Sequence, residues 1–418
     1  MGRVVSPEVG GVRVTGEQLS AESRGRPPAF RFALFDYGFR PFFLLAGLYA
    51  CAIVPIWLYR FAHHGMAFGA LPTMYWHSHE MFFGFVMAAI AGFLLTAVPS
   101  WTGARGFAGA PLILLVGLWI AGRIAMATVG QAPFWMTAIA ELALVPALVV
   151  LLAPPLFRSQ NRNTPLLAVL GMLWVGDAAF LVSLQSGDGL LAERAMRFVC
   201  NVVLVLVTVV GGRIVPAFTA NALRQRGETA GITSREWVEK TVVGSMIALA
   251  VADVFEPNGK LSGALAAFAA SAHAIRLAGW RSFRIRRESI LWILHVGYAW
   301  LPIGLALKAS WLLFGASWAL KWQHALTMGV FATLILAVTT RAALGHTGRP
   351  LVVSRAITIA YLLLTAGVLL RVFAGNLAPG RYILVLSTAG LAWSLAFLIY
   401  LVVYTPILVG PRVDGKPG

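Results

Sequence analysis

Long apolar runs without ionisable side chains recur along this sequence and constrain its fold more than any other feature. One of them, from Met81 to Val98, approaches the roughly 20 residues that cross a bilayer as a helix. Only 12% of the 418 residues are charged, against about 25% in soluble domains. The chain is therefore expected to be an all-α, polytopic membrane protein that lies in a lipid bilayer.

We predict twelve transmembrane helices and number them as spans 1 to 12. They form one transmembrane domain, residues 31–410, between a flexible cytoplasmic N-terminal arm, 1–30, and a cytoplasmic tail, 411–418. The arm contains Arg, Gly and Pro but no apolar core, which is unlike a cleavable signal peptide. The spans lie near residues 40–60, 79–99, 109–128, 133–153, 164–184, 195–216, 237–256, 261–279, 289–314, 321–345, 354–374 and 381–408.

The basic residues lie mainly on one side of the predicted membrane. The N-terminal arm, the loops after even-numbered spans and the tail hold 24 of the 33 Lys and Arg residues, whereas the other loops hold 8. Since basic loops stay in the cytoplasm, both termini are predicted to be cytoplasmic. This bias also explains the formal charge of +17 without a nucleic-acid partner. Even-numbered spans then begin at the outer, periplasmic face.

A weak internal repeat relates spans 2, 6 and 10. When His79 is aligned with His324, Gly84 falls on Gly329, and the helix ends read "VPSWTG" and "LGHTGR". Span 6 joins through "VPAFT", and the same spacing leads back to Met196. Repeats of this kind favour pseudo-symmetric packing with sites at the repeat interfaces. We therefore predict three four-helix repeats around helices 2, 6 and 10.

This arrangement is reminiscent of the haem–copper oxidase superfamily, in which histidines near the outer ends of helices 2 and 10 hold the low-spin haem. That superfamily also carries copper-binding histidines on helices 6 and 7. The corresponding predicted spans contain no histidine here. The likeness is therefore one of architecture, and we predict no oxidase active site.

Three longer motifs carry a more specific resemblance. They are "FRPFFLLAGLYA", "WHSHEMFFGFVMAAIAGFLLTAVPSWTG" and "HALTMGVFATLILAVTTRAALGHTGRP". Together they closely resemble the NnrS family, over about residues 30–408. The resemblance implies a twelve-span bacterial inner-membrane protein that contains haem and copper. It also implies a link to denitrification, nitric oxide metabolism and resistance to nitrosative stress.

The repeat and the resemblance together point to His79 and His324 as axial ligands of a haem b. Both lie at the same predicted depth, although a histidine at a helix start also suits a cap or a water contact. Two histidine ligands predict electron transfer, whereas a single ligand leaves iron open to nitric oxide. Glu80 is expected either to interact with the His79 side chain or to place a favourable negative charge at the helix N-terminus. Arg197, next to Arg194, suits a haem propionate or an interfacial anchor.

A copper site is a second prediction for the outer face. His77 points about 200° away from His79 on a helix, so it suits copper, a propionate contact or solvent. The candidate copper ligands are His77, His63, His64 and Met196, because copper accepts imidazole and thioether. Met66, Met74 and Cys200 are further sulfur groups in the same region. Core packing is the alternative role for Met196 and Cys200.

Three charged residues lie deepest inside the predicted spans. Glu141, Asp177 and Lys308 lie at similar predicted depths, so we expect a buried charge cluster. Such a cluster conducts protons or locks helices together.

The remaining histidines are predicted at the inner face. His273, His295 and His346 are candidates for a second haem or metal. The alternative is that His273 and His295 are hydrogen-bonded core residues and that His346 has a structural role at a helix end.

The sequence thus predicts a haem-binding inner-membrane protein of nitric oxide metabolism, with redox or gas-binding chemistry near the periplasmic leaflet. An electron donor is the further partner that redox chemistry requires. Two alternatives remain open: a secondary transporter without haem, and a non-catalytic sensor of haem or nitric oxide.

Overall fold

Twelve long helices, labelled α1 to α12, make up most of the chain described by the computed structural model. The described residues are 32–63, 71–229, 231–232, 235–375 and 379–415. The predicted arm, 1–30, and the residues His64 and Met66 lie outside them. The helices are α1 Phe39–Ala62, α2 Thr73–Thr102, α3 Ala110–Ala127, α4 Phe134–Arg158, α5 Leu166–Ser186, α6 Gly189–Gln225, α7 Glu236–Phe255, α8 Lys260–Ala278, α9 Ser289–Phe314, α10 Ser317–His346, α11 Arg355–Ala374 and α12 Tyr382–Val409.

Within the described residues, eleven of these helices are long and apolar enough to cross a membrane. The prediction of an all-helical, multi-pass membrane protein is confirmed. The remaining helix, α7, is 20 residues long and coincides with predicted span 7. It carries Glu236, Glu239, Lys240 and Asp253, which is why its composition differs from that of the other eleven.

The local sequence explains several of the helix ends. The Asp188 carboxylate accepts hydrogen bonds from the first backbone N–H groups of α6, at 3.0 Å, so α6 begins six residues before predicted span 6. Gly103, Gly187 and Gly315 follow α2, α5 and α9 with φ between 64° and 72°. Glycine adopts this left-handed conformation without steric cost, which ends each helix.

The first and the last helix pack together. Arg40 at the start of α1 is buried and donates to the carbonyl oxygens of Leu408, at 2.9 Å, and Gly410, at 2.6 Å. The Ala33 amide also donates to the Val409 carbonyl, at 2.7 Å. The beginning of α1 and the end of α12 therefore lie at the same end of the helix bundle.

Helices α2 and α10 change geometry at equivalent places. The residues from Glu80 to Val86 form a π-helical segment that begins directly after His79. A second π-helical segment, Ala325–Ala332, begins directly after His324. The two aligned histidines are thus each followed by a π-helical segment. The threefold arrangement of the repeats stays a prediction.

Each of these π-helical segments contains a glycine that packs on an aromatic ring. A Cβ atom on Gly84 would lie 2.1 Å from the ring of Tyr49 on α1, and one on Gly329 would lie 2.7 Å from the ring of Trp300 on α9. Gly84 and Gly329 are the two glycines that coincide when His79 is aligned with His324. Close approach of a neighbouring helix therefore requires glycine at both positions.

We expect Gly84→Ala and Gly329→Ala each to lower stability by about 1–3 kcal/mol, because the added methyl group overlaps an aromatic ring of the neighbouring helix. The measurement is thermal unfolding of the protein in detergent. Gly117→Ala on α3 is the control, since a Cβ atom there meets open space. Melting of all three variants at the wild-type temperature would contradict this account of the packing.

Candidate functional site

A cavity of about 420 Å³ lies between α1, α2, α6, α7, α10, α11 and α12. This volume is within the range of small-molecule and cofactor sites, roughly 300–1,000 Å³. Its walls are largely apolar and aromatic, with a few polar side chains directed inwards. The aromatic residues of the wall include Trp57, Phe82, Phe85, Trp322 and Trp393.

Two histidines line this cavity from different helices. His77 comes from the first turns of α2 and His324 from α10. The His77 ring stacks on Trp57, with 4.3 Å between ring centroids and 26° between planes. Among the described residues, the buried Nδ1 atom of His77 has no hydrogen-bond partner. An imidazole nitrogen of this kind is a ready ligand for a metal ion.

Two arginines lie at the same cavity. Arg371 is in a π-helical segment of α11, Leu370–Ala374, and is close enough to interact electrostatically with both His77 and His324. Arg197 on α6 donates to Glu193, at 2.5 Å, and lines the cavity as well. The cavity therefore combines imidazole nitrogens with cationic groups that suit an anionic ligand.

Sulfur-containing side chains add a third kind of group. Met196 and Cys200 of α6 line the cavity, as the copper prediction requires of Met196. Three further methionines do so as well: Met74, Met81 and Met328. Thioether and thiol groups are soft ligands and imidazole is a borderline one, and copper accepts all three. His63 is exposed instead, and its Nδ1 lies 2.7 Å from the Tyr59 carbonyl of its own helix.

His79 lies in a second, separate polar cluster. Its Nδ1 atom is 2.9 Å from Glu80 Oε1, and its Nε2 atom is 3.0 Å from Asp177 Oδ1. Glu141 Oε1 lies 3.7 Å from the same Nε2 atom. The His79 side chain is fully buried. Helices α2, α4 and α5 thus meet at one imidazole. We refer to His79, Glu80, Glu141, Asp177 and Arg123 together as the His79 cluster.

Arg123 of α3 joins two carboxylates of this cluster. Its guanidinium donates to Glu80 Oε1, at 2.7 Å, and forms a short hydrogen bond with Glu141. The Tyr49 hydroxyl donates to the other oxygen of Glu80. Glu80 therefore supports His79, one of the roles that the sequence suggested, and it is also held by two further helices.

Helix geometry explains why the two neighbouring histidines separate. Residues two apart on a helix point about 200° apart. His77 faces the cavity with His324, so His79 faces the carboxylates of α4 and α5. The structure thus brings His77, rather than His79, into the cavity beside His324, and His79 is absent from the cavity's described lining.

The predicted charge cluster is divided between two places. Glu141 and Asp177 both belong to the His79 cluster. Lys308 of α9 instead forms a buried ion pair with Asp253 of α7, which also accepts from Asn201 at 2.9 Å. The expectation that Glu141, Asp177 and Lys308 form one buried charge cluster is therefore corrected. Asp253 is its partner because α7 places this carboxylate against α9.

The inner-face histidines lie apart from the cavity lining. His273 Nδ1 is 2.7 Å from the Tyr298 hydroxyl. His295 contacts hydroxyl groups through both ring nitrogens, at 2.8 Å each, which leaves neither nitrogen free for a metal. His346 ends α10 and stacks on Tyr37, with 6.1 Å between centroids.

Sequence reasoning missed several residues of both sites. Arg123, Asp253 and Arg371 fall within predicted spans, where an ionisable side chain is itself a signal of function or pairing. They stand near the ends of those spans, where a charged side chain also suits the membrane interface. Tyr49 carries no comparable signal, because tyrosine is common in membrane helices.

The fold and the cavity define a polytopic helical membrane protein with a histidine-containing site between its helices. The sequence model of the NnrS family, described as NnrS protein, matches residues 33–412. The chain therefore belongs to the NnrS family, and the resemblance seen in the motifs is confirmed. No individually curated protein matches it.

Lys308→Met should destabilise the protein by about 3–5 kcal/mol, because it leaves the Asp253 carboxylate buried without its cation. The double variant Lys308→Met with Asp253→Asn should recover much of the loss, since neither charge remains. Thermal unfolding in detergent measures both. Lys240→Met is the control, because Lys240 is exposed on the same helix as Asp253. Equal losses in the single and double variants would show that the two charges are not coupled.

Proposed function

We propose that this chain is a haem-binding membrane protein that acts on or senses nitric oxide at the cavity between α2, α6 and α10. One observation carries the proposal: His77 and His324 line one cavity of cofactor size from two helices. Membership of the NnrS family supports the choice of haem and of nitric oxide.

The residues present fit a b-type haem. His77 and His324 supply imidazole nitrogens, and the unpartnered Nδ1 atom of His77 needs a partner in a buried place. Arg371 and Arg197 suit the two propionates of a haem, because guanidinium groups bind carboxylates in bidentate fashion. The sequence predicted His79 with His324 as the ligand pair. The hydrogen bonds of His79 to carboxylates favour His77 in that role.

A haem held there supplies a redox-active iron whose properties follow from its axial ligands. The chain's own residues determine which reaction that iron can support. If both histidines bind, electron transfer is favoured, and an external electron donor is required. If one binds, a small gas can take the free position. The aromatic wall, including Trp57 and Trp393, would limit the access of bulk water to a haem bound there.

A second cavity suits the supply of an apolar gas. It has a volume of about 110 Å³, and its described lining is apolar except for Thr339 and backbone groups. Val86 and Phe331 line both cavities, so the two are neighbours. Small apolar cavities stay dry and accept uncharged guests. Nitric oxide is such a molecule, and it would reach the larger cavity past these two side chains.

Copper is the other metal that the sequence resemblance implies, and the donor set of the larger cavity fits it. Met196, Cys200 and His77 are soft or borderline ligands on adjacent helices. We propose that copper, where it is bound, uses this set. His63 is exposed and belongs to another surface.

We further propose that the chain crosses the bacterial inner membrane twelve times, with both termini in the cytoplasm. The start of α1 and the end of α12 lie at one end of the bundle, which requires an even number of crossings. Eleven apolar helices plus α7 satisfy this requirement. The basic loops support the orientation, which places His77 and His324 near the periplasmic leaflet.

A transporter remains the second candidate, and one observation favours it. Asp253 and Asn201 line the cavity, so the ion pair of Asp253 with Lys308 borders a space that a substrate could enter. Buried ion pairs that border a cavity are typical of coupled transport. This function needs no haem.

The optical spectrum of the purified protein tests the haem site. Protein made with adequate haem supply should show the absorption of a histidine-ligated haem. His77→Ala and His324→Ala should shift or abolish this spectrum, because each removes an axial ligand. His63→Ala should leave it unchanged. His79→Ala should retain haem if His77 is the ligand, and should lose it if the ligand pair is His79 with His324.

A colourless wild-type protein would contradict haem binding and favour the transporter. Unchanged haem in both His77→Ala and His324→Ala would contradict only this choice of ligands.

Nitric oxide consumption separates an enzyme from a sensor. Reduced protein is mixed with excess nitric oxide without oxygen, with an electron donor present, and the loss of gas is followed at an electrode. Catalysis predicts continued loss beyond one molecule per haem, and His324→Ala should abolish it. A sensor predicts loss that stops at one molecule per haem.

A further inference from the structure

The His79 cluster holds an imbalance of charge in a buried place. Among the described residues, its ionisable groups besides His79 are the carboxylates Glu80, Glu141 and Asp177, with Arg123 as the cation. When the carboxylates are ionised, two negative charges remain uncompensated. The side chains of the three acids are at most 3% exposed. Uncompensated buried charge is costly, so the cluster requires protons or a cation.

The hydrogen bonds around His79 assign a role to each ring nitrogen. Nδ1 lies 2.9 Å from Glu80, whose two oxygens also accept from Arg123 and Tyr49. Glu80 is thus a fixed acceptor that favours a proton on Nδ1. Nε2 then presents its lone pair to the carboxylates of Asp177 and Glu141. A lone pair that faces two anionic oxygens requires a proton or a cation between them.

The distances fit a metal ion at this point. Nε2 lies 3.0 Å from Asp177 Oδ1 and 3.7 Å from Glu141 Oε1, and the three ligand atoms all lie within 4.8 Å of one another. Two ligands about 2.1 Å from a tetrahedral zinc ion lie roughly 3.4 Å apart. The measured separations bracket this value, so small side-chain movements would form the site.

A further observation points to a missing ligand. Glu141 is 5% exposed, and within the described part of the chain its Oε2 atom has no hydrogen-bond partner. The carboxylate is directed at His79 and Arg123 through Oε1 alone. A buried carboxylate oxygen without a partner is rare, and a bound ion satisfies it.

We propose that His79, Glu141 and Asp177 form a site for a divalent cation, with Glu80 as the carboxylate that orients the imidazole. One imidazole and two carboxylates are the ligands of borderline or hard cations such as Zn²⁺, Mn²⁺ or Fe²⁺. A divalent cation neutralises the two excess negative charges. The pairing of a metal-bound histidine with an outer carboxylate is a recurring design that fixes the ring.

This site is distinct from the haem and copper sites proposed for the cavity. It uses neither His77 nor His324, and its ligands contain no sulfur. It joins α2, α4 and α5, whereas the cavity lies on the side of α2 that carries His77. His77 and His79, two residues apart on α2, would thus hold two different cofactors on opposite faces of the helix.

Zinc binding by the purified, full-length protein tests the proposal. The protein is treated with a chelator in detergent, incubated with Zn²⁺ alone, desalted and measured by elemental analysis. We expect about one Zn²⁺ per chain, together with a higher unfolding temperature, because a ligand that binds only the folded state stabilises it. Zinc is a suitable probe because it is distinguished from haem iron and from copper.

Graded variants identify the ligands. Asp177→Asn and Glu141→Gln should abolish zinc binding, because each removes a ligand. Glu80→Gln should weaken it about 10- to 100-fold, as the loss of an orienting carboxylate does. Glu236→Gln, at an exposed carboxylate, should bind as the wild type does. His324→Ala should also keep zinc, even where it loses haem, which separates this site from the proposed function.

If the variants fail to fold, zinc binding by the wild-type protein still tests the proposal. Chelator-treated protein that binds no Zn²⁺ or Mn²⁺, with an unchanged unfolding temperature, would overturn the proposal and leave protons as the compensating charge. Zinc bound equally by wild type and Asp177→Asn would also overturn it, because the ion would then be elsewhere.

Discussion

The compensation of buried charge is the constraint on which this structure depends. In the hydrocarbon core an ionisable group has no water to solvate it, so it must find a partner on another helix. Arg40 donates to backbone carbonyl oxygens at the end of α12, and Lys308 forms an ion pair with Asp253 of α7. Each such contact fixes the position of one helix against another. Charges that are costly alone thus specify how largely apolar helices pack.

The same constraint accounts for the path of α7. This helix differs in composition from the eleven apolar ones, yet its Asp253 lies against α9 and faces the cavity. At its other end, Glu239 pairs with Arg276 of α8, whose guanidinium also donates to Tyr298 at 3.0 Å. Asp253 and Glu239 of α7 are therefore compensated by neighbouring helices, and the exposed Glu236 pairs with Lys240 of the same helix. Such pairing is the condition under which a charged helix can lie among lipid-facing ones.

Sequence reasoning located the helices well, because long apolar runs are a direct signature of membrane spans. It also found the repeat of His79 with His324, which coincides with π-helical segments in α2 and α10. It did not find the partner of Lys308. Predicted depth grouped Lys308 with Glu141 and Asp177, because Asp253 stands near the end of predicted span 7. The rotation of each helix about its axis decides the pairing, and that rotation depends on packing that a single sequence does not show.

The two histidines at the start of α2 illustrate the same limit at closer range. The spacing of His77 and His79 shows that they face opposite ways, but it does not show which one faces His324. The answer depends on the neighbours: Trp57 stacks on one ring, and the carboxylates of α4 and α5 surround the other. A π-helical segment follows at once, and such segments occur frequently at functional sites because they redirect the side chains beyond them. One short stretch of α2 therefore contacts two chemically different environments. His77 faces the cavity, with its sulfur-containing and aromatic side chains, and His79 faces the carboxylates of its cluster.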